Sequence, residues 1–246
     1  MSGRFVVTFA FVLSTGFASA LLAVDPPATQ SQDISRLDRK HLATTYHGLP
    51  DAPLPQRFRF PDDAQGTSFG IDVSHHNGKI DWAQTKGIEI GYVYIKASQG
   101  TTNTDQRFAA NWSGATDAGH KLGAYHFLSS LSPAEDQAAH FLSVYSDRSD
   151  SDLPPVLDVE WDLSAPAADG HRSDRWASQS SDQIAASIKS WVEAVAQATG
   201  KTPLIYTNTD WWNQRVGSAG TDLGKTYPMW IASYSTDSAT APAVPP

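Results

Sequence analysis

Two carboxylates one residue apart, Asp158 and Glu160, stand in the stretch PPVLDVEWD at 154–162, among Val156, Leu157, Val159 and Trp161. Those neighbours suit a buried strand. Burying one carboxylate is costly, and burying two is worse unless partners or a shared proton compensate. On a strand, positions two apart share a face, with Cα atoms roughly 6.6 Å apart. Two carboxyls facing one space can divide acid catalysis between them, one holding a proton for a leaving group while the other stays ionised beside a developing positive charge. Lys96, at the end of an earlier apolar segment, is a cation able to keep one of them ionised, or simply to pair with it structurally.

A third acid, Asp72, closes the apolar run in GIDVSHHNG just before the turn signal Asn77-Gly78. Tyr94, Tyr125, His126, Tyr206, Trp230 and Tyr234 fall at the ends of other apolar segments. Taken singly, a strand-end Asp is more often a cap or turn former, and an aromatic ring is more often plain core. Gathered around acids, the rings suggest the walls of a sugar groove, since each offers an apolar face beside a polar handle.

The elements that must position these residues follow from periodicity. Apolar segments at 69–74, 90–97, 121–128, 153–161, 202–208 and 227–234 read as strands. Helical stretches fall between them, the firmest at 180–200, where Ile184, Ile188, Trp191 or Val192, and Val195 share a face and Gly200 supplies the stop. Strands joined by helices of this length belong to an α/β fold with a parallel sheet under helical cover. Polar groups at the C-terminal ends of successive strands favour a β/α barrel over a doubly wound sheet.

The chain has 246 residues, 40% of them hydrophobic, enough for one catalytic-size domain with appendages. Eighteen Lys and Arg stand against 26 Asp and Glu, so no basic surface is available to bind nucleic acid. Cysteine is absent, which removes disulfides and thiolate chemistry and restricts any metal site to His and carboxylates. Residues 1–20, with Arg4, an apolar run and Ala18-Ser19-Ala20, read as a signal peptide too short to span a bilayer. A secreted or periplasmic monomer without stable membrane insertion is expected. The Pro-rich segment 21–68 reads as a linker or extended arm, and 69–246 as the catalytic domain.

The segments GIDVSHHNGKIDW, YVYIKASQG, GAYHFL, PPVLDVEW, PLIYTN and MWIASY, in this order, resemble the family 25 glycoside hydrolases, the Chalaropsis-type lysozymes or N-acetylmuramidases. The resemblance implies a cofactor-free enzyme with an irregular β/α barrel that cleaves the β-1,4 bond between N-acetylmuramic acid and N-acetylglucosamine in peptidoglycan glycan strands. Carried over, Glu160 matches the general acid. Asp158 and Asp72 match the acids that assist the oxocarbenium-like centre, orient the 2-acetamido group or position water. Tyr94, Lys96, Tyr125, His126, Tyr206, Trp230 and Tyr234 are expected to bind substrate. Family members continue beyond the WIASY strand through a WQY segment to another acidic residue, whereas this sequence runs STDSATAPAVPP to Pro246. An incomplete barrel, truncated at its C-terminal part, is therefore expected. The polar insertion DLSAPAADGHRSDRW after Trp161 reads as a lid or groove wall. Two other functions compete with the muramidase reading: a peptidoglycan-binding protein without turnover, and a metal-dependent cell-wall amidase or deacetylase using His75, His76 and His126. Adjacent histidines diverge, and no HExxH spacing is present.

Overall fold

The computed structural model describes residues 44–45, 56–57, 70–87, 90–145 and 153–232. The signal segment, most of the 21–68 arm and Tyr234 lie outside the described residues. Within the arm, 44–45 and 56–57 pair as a short antiparallel ladder.

The main sheet is built from β1 (Gly70–Val73), β2 (Tyr92–Gln99), β3 (Asn103–Thr104), β4 (Leu122–Phe127), β5 (Val156–Asp158), β6 (Leu204–Asn208) and β7 (Met229–Ala232). Six of these run parallel in the order β1-β2-β4-β5-β6-β7, and β3 lies antiparallel beside the end of β2. Helices α1 (Phe108–Asp117), α2 (Ala134–Tyr145) and α3 (Ser181–Thr199) provide the crossovers, with the short α4 (Thr209–Arg215) and α5 (Thr221–Thr226) between β6 and β7. The short pair was not visible in the sequence pattern. Helix α3 starts in a capping box in which Ser180 and Gln183 satisfy each other's backbone N–H, and ends at Gly200 with φ 70°. Both signals come from the local sequence.

The sheet is curled, an open half-barrel rather than a flat layer. Strands β2 and β7 are four steps apart, which in a flat sheet means roughly 19 Å, yet the rings of Tyr94 and Trp230 lie 5.7 Å apart. Side chains divide accordingly. Val93 and Ile95 join Leu157, Ile205, Ile188 and Trp191 in the core between sheet and helices. Tyr92, Tyr94, Val156, Tyr206 and Trp230 fill the concave side. Gly123 makes room there, since a Cβ would come within 2.2 Å of the Tyr94 ring.

An irregularity in β2 sets the polar pattern at the rim. Lys96 pairs with Tyr125 and Ser98 with His126, leaving Ala97 as an extra residue. Such a bulge reverses the inside-outside alternation. Lys96, before the bulge, keeps the concave side of Tyr94, while Ser98, after it, turns outward and bonds His126 Nδ1 at 2.8 Å.

Candidate active site

Asp72 and Asp158 lie near the C-terminal ends of β1 and β5, each only 8% exposed. They share a narrow hollow of about 10 Å³ with Tyr125, Val156, Tyr206 and Trp230. One oxygen of each, Asp72 Oδ2 and Asp158 Oδ1, is buried without a hydrogen-bond partner among the described residues. An unsatisfied buried acceptor costs about 1–3 kcal/mol. Two of them in one hollow give it polar groups that water or a bound molecule can satisfy.

Burial dominates their protonation. It pushes Asp72 up to about 8, with the nearby Glu160 charge adding and its own backbone N–H opposing. Asp158 is pushed up to about 7, again chiefly by burial, with Lys96 pulling down and Asp72 pushing up. Lys96 is itself lowered by burial, against the attraction of Asp158, Asp105 and Glu160. Its Nζ donates to Gln99 Oε1 at 2.9 Å and sits 5.1 Å from the centre of the Phe127 ring. Burial and the charges of Asp72 and Asp158 raise the Tyr125 phenol, which stays a neutral donor.

These shifts make a stability prediction. Asp72 binds its proton more tightly folded than unfolded, so between about pH 4 and pH 8 its contribution to stability falls as pH rises. Asp72→Asn is therefore expected to melt like the parent near pH 4 and to be more stable at pH 8, by about 5 kcal/mol at most. Parallel melting curves at both pH values would contradict a raised Asp72.

Glu160 is reached differently from the sequence expectation. The strand ends at Asp158, and Glu160 lies in the bend beyond it. Its segment is still held, because Val159 N donates to Tyr206 O at 2.9 Å and Trp176 Nε1 donates to Glu160 O at 3.1 Å. Glu160 is half-buried, less enclosed than the two Asp residues, and its charge acts on both Asp72 and Lys96. Three carboxyls and one ammonium group therefore occupy one electrostatic neighbourhood.

The expected substrate-binding residues separate. Tyr125, Tyr206 and Trp230 line the hollow. Tyr94 lies beneath it, 3% exposed, its hydroxyl donating to Pro154 O at 3.2 Å. His126 lies apart from them. It is fully buried on the helix side, between Ser98 and Gln137 and stacked on Trp191 at 5.6 Å. Burial pushes it down to about 3, so it stays neutral and cannot reach the concave side. The strand alternation that turns Tyr125 inward turns His126 out.

The His75-His76 pair also resolves. His75 Nδ1 lies 2.6 Å from Asp105 Oδ2, which additionally accepts from the His75 backbone N–H. Among the described residues no group of three His, Asp or Glu side chains is placed to hold a metal ion. Asp105 is not among the residues that the sequence singles out. It bonds Arg107 N, and its charge also reaches Lys96, His76 and Tyr125. The insertion after Trp161 doubles back on itself, with Ser164 N donating to Ser173 O and Ala167 N to His171 O, and it exposes residues 165–173.

The chain is similar to known proteins over most of its length. The profile of the glycosyl hydrolases family 25 matches residues 71–244. Lysozyme M1 of Streptomyces globisporus is 34% identical over 186 residues, 74% of this chain and 60% of its own length. The N,O-diacetylmuramidase of Chalaropsis sp is 29% identical, over 70% of this chain and 81% of its own. Among solved structures, the bacterial lysozyme from Streptomyces coelicolor superposes with a TM-score of 0.61 at 34% identity, covering 72% of this chain and 77% of that one. The family 25 lysozyme from Aspergillus fumigatus gives 0.59 at 32% identity, over 72% and 80%.

Proposed function

Because the chain belongs to glycosyl hydrolase family 25, we propose that it is a lysozyme of the N-acetylmuramidase type, hydrolysing the β-1,4 bond between N-acetylmuramic acid and N-acetylglucosamine in peptidoglycan. The observation that carries this reading is the pair of buried carboxyls, Asp72 and Asp158, each with an unpartnered oxygen in a hollow walled by Tyr125, Tyr206 and Trp230. Glu160, the least enclosed acid, delivers its proton to the glycosidic oxygen as the bond breaks. Asp158, next to Lys96, is the carboxyl that ionises first of the buried two and faces the developing positive charge. Asp72 keeps its proton through neutral pH and serves as a hydrogen-bond donor to the 2-acetamido group. The three aromatics hold the sugar by stacking and hydroxyl contacts.

The substrate is extracellular, which agrees with the export signal read at residues 1–20. No helix among the described residues is long and apolar enough to cross a membrane. Catalysis by carboxyls alone predicts that clearing of purified peptidoglycan survives EDTA and dialysis unchanged. Loss on chelation with recovery on zinc would move the chemistry to a metal-dependent amidase or deacetylase. Binding without clearing would leave only a peptidoglycan-binding role.

A further inference from the structure

We propose that Asp162 is a positioning residue for Glu160, the central post of a clamp that fixes the segment carrying the general acid; this rests on the reading of Glu160 given above. Glu160 sits outside the ladder, so the sheet does not fix its backbone directly. A general acid displaced by about 1 Å can cost 10²-fold in rate, and some other structure must hold this one.

Asp162 is two residues further on and only 3% exposed. Its Oδ2 accepts from Ser129 Oγ at 3.0 Å, Ser130 N at 2.8 Å and Ser130 Oγ at 2.8 Å. Its Oδ1 accepts from Arg175 Nη1 at 2.8 Å. One buried carboxylate thus ties the loop after β4 to both ends of the insertion. The backbone around it is held equally firmly. Asp162 N donates to Asp174 Oδ1 at 3.2 Å, and Arg175 N donates to Asp162 O at 3.0 Å. Asp174 is in turn held by Arg215 Nε at 2.6 Å. Trp176, fully buried against Trp211, closes the clamp by donating its indole N–H to Glu160 O. Nothing in this network touches the hollow, so Asp162 acts only through the peptide that carries Glu160. Side chains locked by supporting hydrogen bonds are what a catalytic group needs to stay within a fraction of an ångström of its productive place.

The test compares the full chain with its Asp162→Asn and Arg175→Gln variants on purified peptidoglycan fragments, at a temperature well below each melting point. Asn turns an N–H₂ toward donors, so part of the clamp must open. The expected result for Asp162→Asn is a kcat lowered about 10²-fold with KM within a few-fold of the parent, and a smaller loss in the same direction for Arg175→Gln. The alkaline limb of the kcat profile should also move, because Glu160 shifts against Lys96, Asp158 and Asp72, the titratable groups around it. A second readout needs no turnover: carboxyl-carbon NMR of Glu160, whose titration midpoint moves in the variants. A changed midpoint in a chain that never cleaves peptidoglycan would support the clamp while removing the muramidase reading. Lowered melting points with kcat and midpoint both unchanged would reduce Asp162 to a structural residue. If Asp162→Asn does not fold, Arg175→Gln and Ser130→Ala, which each remove only part of the clamp, decide the matter by the same readouts.

Discussion

Glu160→Gln is expected to lower muramidase turnover by about 10²- to 10⁴-fold, the usual worth of general acid catalysis, while peptidoglycan binding stays close to that of the parent. Gln preserves the size of the side chain and part of its hydrogen bonding, but has no proton to give the leaving oxygen. The hollow formed by Asp72, Asp158 and the three aromatics does not include Glu160 in its walls, so sugar contacts survive the change. Binding can be read by sedimentation with purified cell walls and turnover by release of soluble fragments. Parental lysis by a folded variant would remove Glu160 from the acid role.

Lys96→Met has the second largest expected effect, and its direction follows from charge. Lys96 opposes the burial that pushes Asp158 up, and it interacts with Glu160 as well. An opposite charge at close range typically lowers a carboxyl by 1–3 units. Removing the ammonium therefore raises both carboxyls, and the whole bell of activity against pH moves to the alkaline side. At mildly acid pH, each unit of rise leaves about tenfold less ionised Asp158, so turnover there falls by about 10- to 10³-fold. Part of the loss is recovered as pH is raised. Methionine retains most of the buried stem while removing the ammonium that sits over Phe127, which separates the charge from the packing. A profile lowered uniformly, without displacement, would mean that Lys96 does not tune these acids.

Much of this arrangement can be read from local sequence, and the exceptions have physical causes. The strand-end places of Asp72 in 69–74 and Asp158 in 153–161 were legible, and apolar spacing with terminal Gly200 defined α3 to within a residue at each end. Strand alternation excludes His126 once Tyr125 is assigned inward, a step the composition of the segment alone obscured. Other features depend on contacts distant in the chain. The bulge at Ala97 that sends Ser98 outward shows no local signature. Asp162 draws its partners from Ser129, Ser130 and Arg175, and Asp105 is joined to His75 thirty residues earlier. Loops supply those partners, and loop geometry has no periodicity to read. The end of β5 at Asp158 was not legible either, since the apolar run continues through Val159 and Trp161.

The central claim, that the chain cuts a muramidase bond, is tested most directly by the identity of the new reducing end. Intact peptidoglycan is digested with the full chain, the products are reduced with borohydride, and the reduced sugars are identified by mass spectrometry. Cleavage on the reducing side of N-acetylmuramic acid gives disaccharide-peptides ending in muramitol, which is the expected result. Glucosaminitol in its place, or free stem peptides with no new reducing sugar, would contradict it.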